Sequence, residues 1–105
     1  MAAVTALKTW EIAPNAGLKR VILTLANTVD ATDTFAITLA DYGISATGLL
    51  AVYSWVHTTD GSVITVEANT TAVSAGVLTV TIAAGTNNDF RVIEIIGRAD
   101  TGVFA

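Results

Sequence analysis

Cysteine is absent from this 105-residue sequence, and histidine and proline each occur once. The lack of cysteine excludes disulfides, zinc–thiolate sites and cysteine nucleophiles. Catalytic triads and most transition-metal sites need histidine with defined partners. The single histidine, His57, lies at the end of an alternating segment, where we expect a strand-end residue that is exposed or hydrogen-bonded.

Charge is also scarce. Charged residues make up 13% of the chain, against about 25% in an ordinary soluble domain. The formal net charge is −4, which argues against binding a phosphate backbone, because that needs clustered lysine and arginine. Lys19 and Arg20 are the only adjacent basic residues, and we expect them at a solvated strand end. The sequence therefore predicts no nucleic-acid partner.

Long hydrophobic runs are missing as well. No apolar stretch approaches the ~20 residues that a membrane-spanning helix needs. The first residues lack a basic region followed by an apolar run, so they do not resemble a signal peptide. These absences predict a chain that is made in the cytoplasm of some cell, has no membrane partner and reaches its destination by assembly.

What is present is a period of two. Hydrophobic residues make up 52% of the chain, and they alternate with threonine, alanine and serine as in half-buried strands. No segment of helical length carries a helical period. The alternation predicts seven or eight short strands, at residues 4–12, 19–26, 34–39, 48–58, 63–68, 77–83 and 90–96, with a further edge strand at 69–75.

Turn residues separate these segments. Asp60-Gly61, between two alternating runs, is the clearest hairpin signal. Residues 14–17 predict another turn, and residues 40–43 a break with a short helical turn. The segment 48–58 is apolar on both faces, with Leu49 predicted to share a face with Tyr53 and Leu50 to share the other face with Val52. Such a strand is either central in its sheet or in contact with a partner.

Strands at this spacing predict an all-β fold: a single domain over residues 1–105, built as an antiparallel β-sandwich or barrel, jelly-roll-like. No internal repeat, linker or charge block indicates a second domain.

The carboxylates do not form a recognisable catalytic pattern. Glu67 and Glu94 lie in predicted strands and could in principle face each other as a glycosidase pair, although we expect each to face solvent or to pair with a basic residue such as Arg91. Asp30 and Asp33 could contribute to a loop calcium site, but turn-capping side chains explain them equally well. No serine lies in a nucleophile-elbow context. We therefore predict no catalytic, cofactor-binding or metal-binding residues, and no enzyme.

Three aromatic residues leave an alternative open. Trp10, Tyr53 and Trp55 could form a sugar-stacking platform, as in carbohydrate-binding modules. Core or interface packing explains them more simply, because aromatic side chains contribute large buried areas.

The edges of the predicted sheets lack protection. Isolated β-domains blunt their edges with lysine, proline or bulges, and this chain has two lysines and one proline. We therefore expect a homo-oligomer, with a trimer as the favoured form.

Three segments carry a resemblance to a known class of proteins. Residues 43–50, 55–59 and 72–80, together with the apolar, threonine-rich, cysteine-free pattern of the whole chain, resemble small proteins of tailed-phage structural modules. These include head decoration (cement) proteins, which bind the outside of an assembled capsid, often as trimers, and brace it. The resemblance offers no functional-residue motif.

The resemblance implies a structural virion protein whose partners are its own copies and the major capsid protein. The alternative is a tail- or fibre-associated module that binds a receptor or glycan through the aromatic residues above.

Overall fold

The computed structural model describes residues 3–15, 17–26, 29–82 and 87–99. Within these ranges the chain is all-β, as predicted, with one short 3-10 helix at Leu39–Tyr42. The strands are β1 (Lys8–Asn15), β2 (Leu18–Leu25), β3 (Thr34–Thr38), β4 (Ile44–Thr59), β5 (Val63–Glu67), β6 (Asn69–Ser74), β7 (Val77–Ile82) and β8 (Phe90–Ala99). Parts of the predicted turn at 14–17 and of the predicted connections at 27–33 and 85–89, with the tail at 100–105, lie outside the described residues.

The strands form two antiparallel sheets. One sheet has five strands in the order β1-β2-β8-β4-β5, and the other has three in the order β3-β7-β6. The two sheets are separate layers and do not close into one barrel. Of the two predicted architectures, the observed one is therefore the sandwich. β8, close to the end of the chain, is the central strand of the larger sheet.

The core lies between the two sheets. Every second residue is fully buried in β2 (Val21, Leu23 and Leu25) and in β7 (Leu78, Val80 and Ile82), while most of their neighbours along each strand are not. Alternation of this kind directs every second side chain into the space between the layers. Both sheets and the 3-10 helix contribute to the buried apolar cluster, which consists of Val21, Leu23, Leu25, Val29, Phe35, Leu39, Ile44, Leu78, Val80, Ile82, Ile93 and Ile95.

The first strand begins later than its pattern predicts. Pairing with β2 starts at Lys8, whereas the alternation starts at Val4. The Val4 amide donates to the carbonyl oxygen of Thr34 in β3 (2.7 Å), and the Leu7 amide donates to that of Thr24 in β2 (2.8 Å). Residues 3–7 therefore cross from the small sheet to the large one. These two backbone hydrogen bonds take the place of the strand pairing that the alternation predicts for this segment.

A bulge in β4 changes which side chains share a face. Leu49 pairs with Gly97, but Ala51 pairs with Ile96, so one extra residue stands in β4 at this point. Leu49 and Val52 consequently both pack against the core, and Leu50 is 56% exposed. The predicted alternation is correct from Val52 onward and wrong for Leu49 and Leu50, because a bulge shifts the pleat by one residue.

The Asp60-Gly61 hairpin is confirmed. The Ser62 amide donates to the carbonyl oxygen of Thr59 (2.9 Å), and Gly61 has a φ of 70°, which L-residues with a Cβ disfavour. The Gly61 amide also donates to Nδ1 of His57 (3.0 Å). His57 thus stabilises the turn that follows its own strand, in line with the hydrogen-bonded strand-end role predicted for it.

Candidate functional site

The candidate site is the side of the five-stranded sheet that points away from the three-stranded sheet, here called the outer face. Val21, Leu23 and Leu25 of β2 enter the core, so the alternate residues of β2 must point outward. The strand register carries this assignment across all five strands. The apolar members of the outer face are Trp10, Ile12, Leu18, Ile22, Ala51, Tyr53, Trp55, Ile64, Val66, Phe90, Val92 and Ile96.

Many of these side chains remain accessible. Trp10 is 49% exposed, Tyr53 47% and Val66 76%, and Ile12, Leu18 and Ile64 are also exposed. Monomeric soluble proteins rarely expose contiguous apolar patches larger than a few hundred Å². The outer face is therefore the candidate contact surface of the described residues.

The three aromatic residues singled out from the sequence all lie on the outer face, but not together. Tyr53 and Trp55 are neighbours on β4, with ring centroids 5.9 Å apart and planes inclined by 31°. Across the sheet, Trp10 of β1 pairs with Ile22 of β2, Ile22 pairs with Glu94 of β8, and Glu94 pairs with Tyr53 of β4. Three strand spacings, about 14 Å, therefore separate Trp10 from Tyr53, and the three rings do not form one platform.

An ion pair occupies the middle of the outer face. Arg20 on β2 donates through Nε to Oε2 of Glu94 on β8 (2.7 Å) and also through Nη2. The Arg20 side chain is 49% exposed and that of Glu94 is 11% exposed. The sequence indicated only a solvated strand end at Lys19 and Arg20. Nothing local marks Glu94 as the partner, because 74 residues separate the two.

Glu67 and Glu94 do not face each other. Ser54 is in register with Glu67 on one side and Ile93 on the other, so Glu67 shares the inner face with Ile93. Glu94 follows Ile93 in β8 and therefore points outward. Each carboxylate pairs with an arginine instead: Glu94 with Arg20 and Glu67 with Arg91, the partner that the sequence suggested.

The loop carboxylates hold backbone groups. Oδ2 of Asp33 accepts from the Asp30 amide (2.9 Å), and Oδ1 of Asp30 accepts from the Asn88 amide (3.0 Å). The first bond lies within the β2–β3 connection and the second joins that connection to the one before β8; both match the turn-capping interpretation. Within the described ranges, no group of three or more acidic or histidine side chains is arranged to hold a metal ion.

A smaller groove opens where the β4 bulge faces β6. Leu49, Leu50, Val52, Asn69 and Thr71 are among the residues that line it. Asn69 donates through Nδ2 to Oγ of Ser54 (2.7 Å), so its amide is engaged within the fold. The groove is shallow and borders the core, whereas the outer face spans the whole large sheet.

No helix among residues 3–15, 17–26, 29–82 and 87–99 is long and apolar enough to cross a membrane. Comparison with protein-family models, curated proteins and solved structures finds no match to this chain.

Proposed function

We propose that this domain is a structural virion protein that decorates the outside of a phage head and braces it through contacts between subunits. The observation that carries the proposal is the outer face: a whole sheet surface that is mostly apolar and in large part accessible, with its two central charges, Arg20 and Glu94, paired with each other. A surface of this kind is covered by another protein in the working state. The resemblance to decoration proteins supplies the partner, the major capsid protein, and implies a homotrimer.

The proposed mechanism is mechanical. A specific protein interface takes about 800 Å² from each partner, and repetition over a shell adds avidity to modest individual contacts. Catalysis is not part of this proposal, because both strand glutamates that could serve as a catalytic pair are engaged with arginines and point to opposite faces of the sheet. The place of action would be the virion.

The test is co-sedimentation of the purified protein with capsids assembled from the major capsid protein encoded in the same genome. We expect saturable binding, with density on the outside of the shell in cryo-microscopy. A Val66→Lys variant should bind less, whereas Thr65→Lys, the same change on the opposite face of β5, should bind as the unmodified protein does. Absence of binding to mature and expanded capsids would rule the proposal out.

The second candidate function is a tail- or fibre-associated module that binds a glycan. The neighbouring Tyr53 and Trp55 rings on the outer face favour it, since sugar rings stack on exposed aromatic side chains. A glycan array distinguishes the two functions. A hit that Trp55→Ala removes, with capsid binding absent, would favour the glycan-binding module over the decoration protein.

A further inference from the structure

We infer that the outer face binds the outer face of a second copy of this chain through a two-fold contact. The inference rests on the proposed function, since it assigns to the outer face the contact between copies of this chain and leaves β5, with Val66, for the capsid protein. Two five-stranded sheets would then stack face to face, as sheets do within a sandwich, at about 10 Å separation. A two-fold contact gives a dimer, so the inference departs from the trimer that the resemblance implies.

The outer face has the size that such a contact needs. β2 and β8 remain in register over eight residue pairs. β1, β2, β8 and β4 lie symmetrically about the line between β2 and β8. Four strands about 4.8 Å apart and eight residues at about 3.3 Å each cover roughly 19 by 26 Å, on the order of 500 Å² in projection. This area is of the same order as the ~800 Å² that each partner contributes to a standard specific interface.

The central charges of the outer face are self-complementary. A two-fold contact brings a surface against its own copy, so each charged group near the axis must meet an opposite one. Arg20 and Glu94 lie side by side near the middle of the sheet, one on β2 and the other on the central strand β8. A two-fold axis in the plane of the contact, passing between them, places Arg20 of each copy opposite Glu94 of the other.

The positions of the other charged residues also favour a second copy of this chain as the partner. Of the carboxylates in the described residues, only Glu94 lies on the outer face. Glu11 and Glu67 belong to the inner side of their strands, and the aspartates lie in the connections and the 3-10 helix. The negative charges of the two copies would thus be kept apart, which limits repulsion between molecules that each carry −4.

Two basic residues complete the charges of the outer face. By register, Lys8 on β1 and Arg98 on β8 take outward positions at opposite ends of the sheet. Nη2 of Arg98 donates to the carbonyl oxygen of Thr47 (3.1 Å). Both residues lie at the rim of the contact, Lys8 exposed and Arg98 partly buried, and charged groups are tolerated better there than at the centre of an interface.

A glycan fits the same surface less well. Sites for sugars combine aromatic rings with several polar groups that fix orientation. Between Trp10 and Tyr53 the row contains Ile22 and the already paired Glu94. The surface therefore offers apolar area and a neutralised ion pair, which suit another protein surface of the same composition.

The test uses charge reversal and analytical ultracentrifugation of the full chain. The unmodified protein should sediment as a dimer. Arg20→Glu and Glu94→Arg should each raise the dimer dissociation constant by about 10- to 100-fold, because like charges then meet across the contact. An equimolar mixture of the two variants should recover the dimer as a heterodimer, since two acidic groups then face two basic groups.

Recovery on mixing is the decisive readout, because a variant that merely folds poorly cannot be rescued by a second variant. Trp10→Lys should also weaken the dimer, because β1 lies opposite β4 of the second copy, and Thr9→Lys, on the opposite face of the same strand, should not. A monomer throughout the micromolar range, a trimer that ignores the charge reversals, or single variants that remain dimeric would each overturn the inference.

Failure of this inference is distinguishable from failure of the proposed function. Capsid binding by a monomer or by a charge-insensitive trimer would overturn the two-fold contact and leave the decoration proposal standing. A charge-sensitive dimer that binds no capsid would support the contact and remove the decoration proposal.

Discussion

Arg91 is the largest fully buried side chain among the described residues, and it organises one end of the sandwich. Its Nε and Nη2 donate to the two carboxylate oxygens of Glu67 (2.7 and 3.0 Å). Its Nη1 donates to the carbonyl oxygens of Val29 and Asp89 (2.7 and 3.1 Å). One guanidinium therefore joins the edge strand β5 to the connections that precede β3 and β8, and such a bidentate geometry is among the stronger ion-pair arrangements.

Glu67→Gln should therefore destabilise the fold markedly. Removing one member of a buried ion pair leaves the other charge poorly compensated, which costs about 3 kcal/mol or more. The matched control is Glu11→Gln, which loses a contact with Lys19 (3.1 Å) at a site where Glu11 is 47% exposed; its cost should stay below about 1 kcal/mol. Urea unfolding of both variants measures the difference, and equal costs would contradict the role given to Arg91.

Replacing both members of the buried pair should restore much of the stability. Glu67→Leu with Arg91→Met removes both charges at once, and buried pairs are often replaceable by apolar groups of similar volume. We expect the double variant to be more stable than either single variant in the same urea titration. A double variant that is as unstable as the sum of the two singles would show that the hydrogen bonds to Val29 and Asp89 matter more than the charge.

At the scale of single residues, the sequence indicates which residues need an ion-pair partner better than it indicates which residue that partner is. The sequence offered Arg91 as one possible partner of Glu67 or Glu94, with exposure to solvent as the other possibility, and the structure pairs Arg91 with Glu67. The Arg20–Glu94 pairing was not predicted, because it depends on β2 lying beside β8, which no local pattern reveals. Ile64 was also not recognised as part of an interaction surface, since alternation cannot say which face of an edge strand is covered.

Among the strands, the junction between β4 and β8 is a close approach of backbone to side chain. A Cβ built on Gly97 would lie 2.5 Å from Cγ2 of Ile44 and 3.3 Å from the carbonyl oxygen of Gly48. Ile44 is fully buried, so it has no free space into which to move. Glycine at position 97 therefore allows β4 to pack against β8 at the point where the bulge begins.

Gly97→Ala should cost about 1–3 kcal/mol, the usual penalty for overpacking a filled core. Adding the same change to an Ile44→Ala background should cost less, because alanine lacks the Cγ2 that the new methyl group meets. Thermal or urea unfolding of the four proteins in this double-mutant cycle gives the coupling between the two sites. Additive costs would contradict a direct contact.

Gly61→Ala is the control for this cycle. Nothing lies within 4 Å of a Cβ at Gly61, and the strain there comes only from its φ of 70°. We expect a loss of about 1–2 kcal/mol from the left-handed backbone alone. That loss should be the same in the Ile44→Ala background as in the unmodified protein.

At the scale of the whole molecule, the sandwich is asymmetric. A three-stranded sheet covers one face of a five-stranded sheet, and among the described residues no layer covers the outer face. β1 and β5 remain as the edges of the large sheet, and Val66 of β5 is 76% exposed. An apolar strand at an edge favours association with another chain, which is consistent with an assembly role.

Association through the outer face should make the melting temperature depend on protein concentration. Whatever binds only the folded state stabilises it by mass action, so a rise of about a hundredfold in concentration should raise Tm by several degrees. Differential scanning calorimetry measures this, and the slope should vanish for Arg20→Glu. A Tm that is independent of concentration in the unmodified protein would indicate a monomer.

The local sequence pattern was sufficient to predict much of the secondary structure of this protein. Alternating side chains and turn signals such as Asp60-Gly61 predicted the strands and an antiparallel sandwich or barrel, because each signal depends only on neighbours along the chain. Tertiary structure alone decided the five-and-three division of the sheets, the β4 bulge and the opposite directions of Glu67 and Glu94. The reason is that strand order and register arise from contacts between distant segments, and a shift of one residue reverses the face on which a side chain lies.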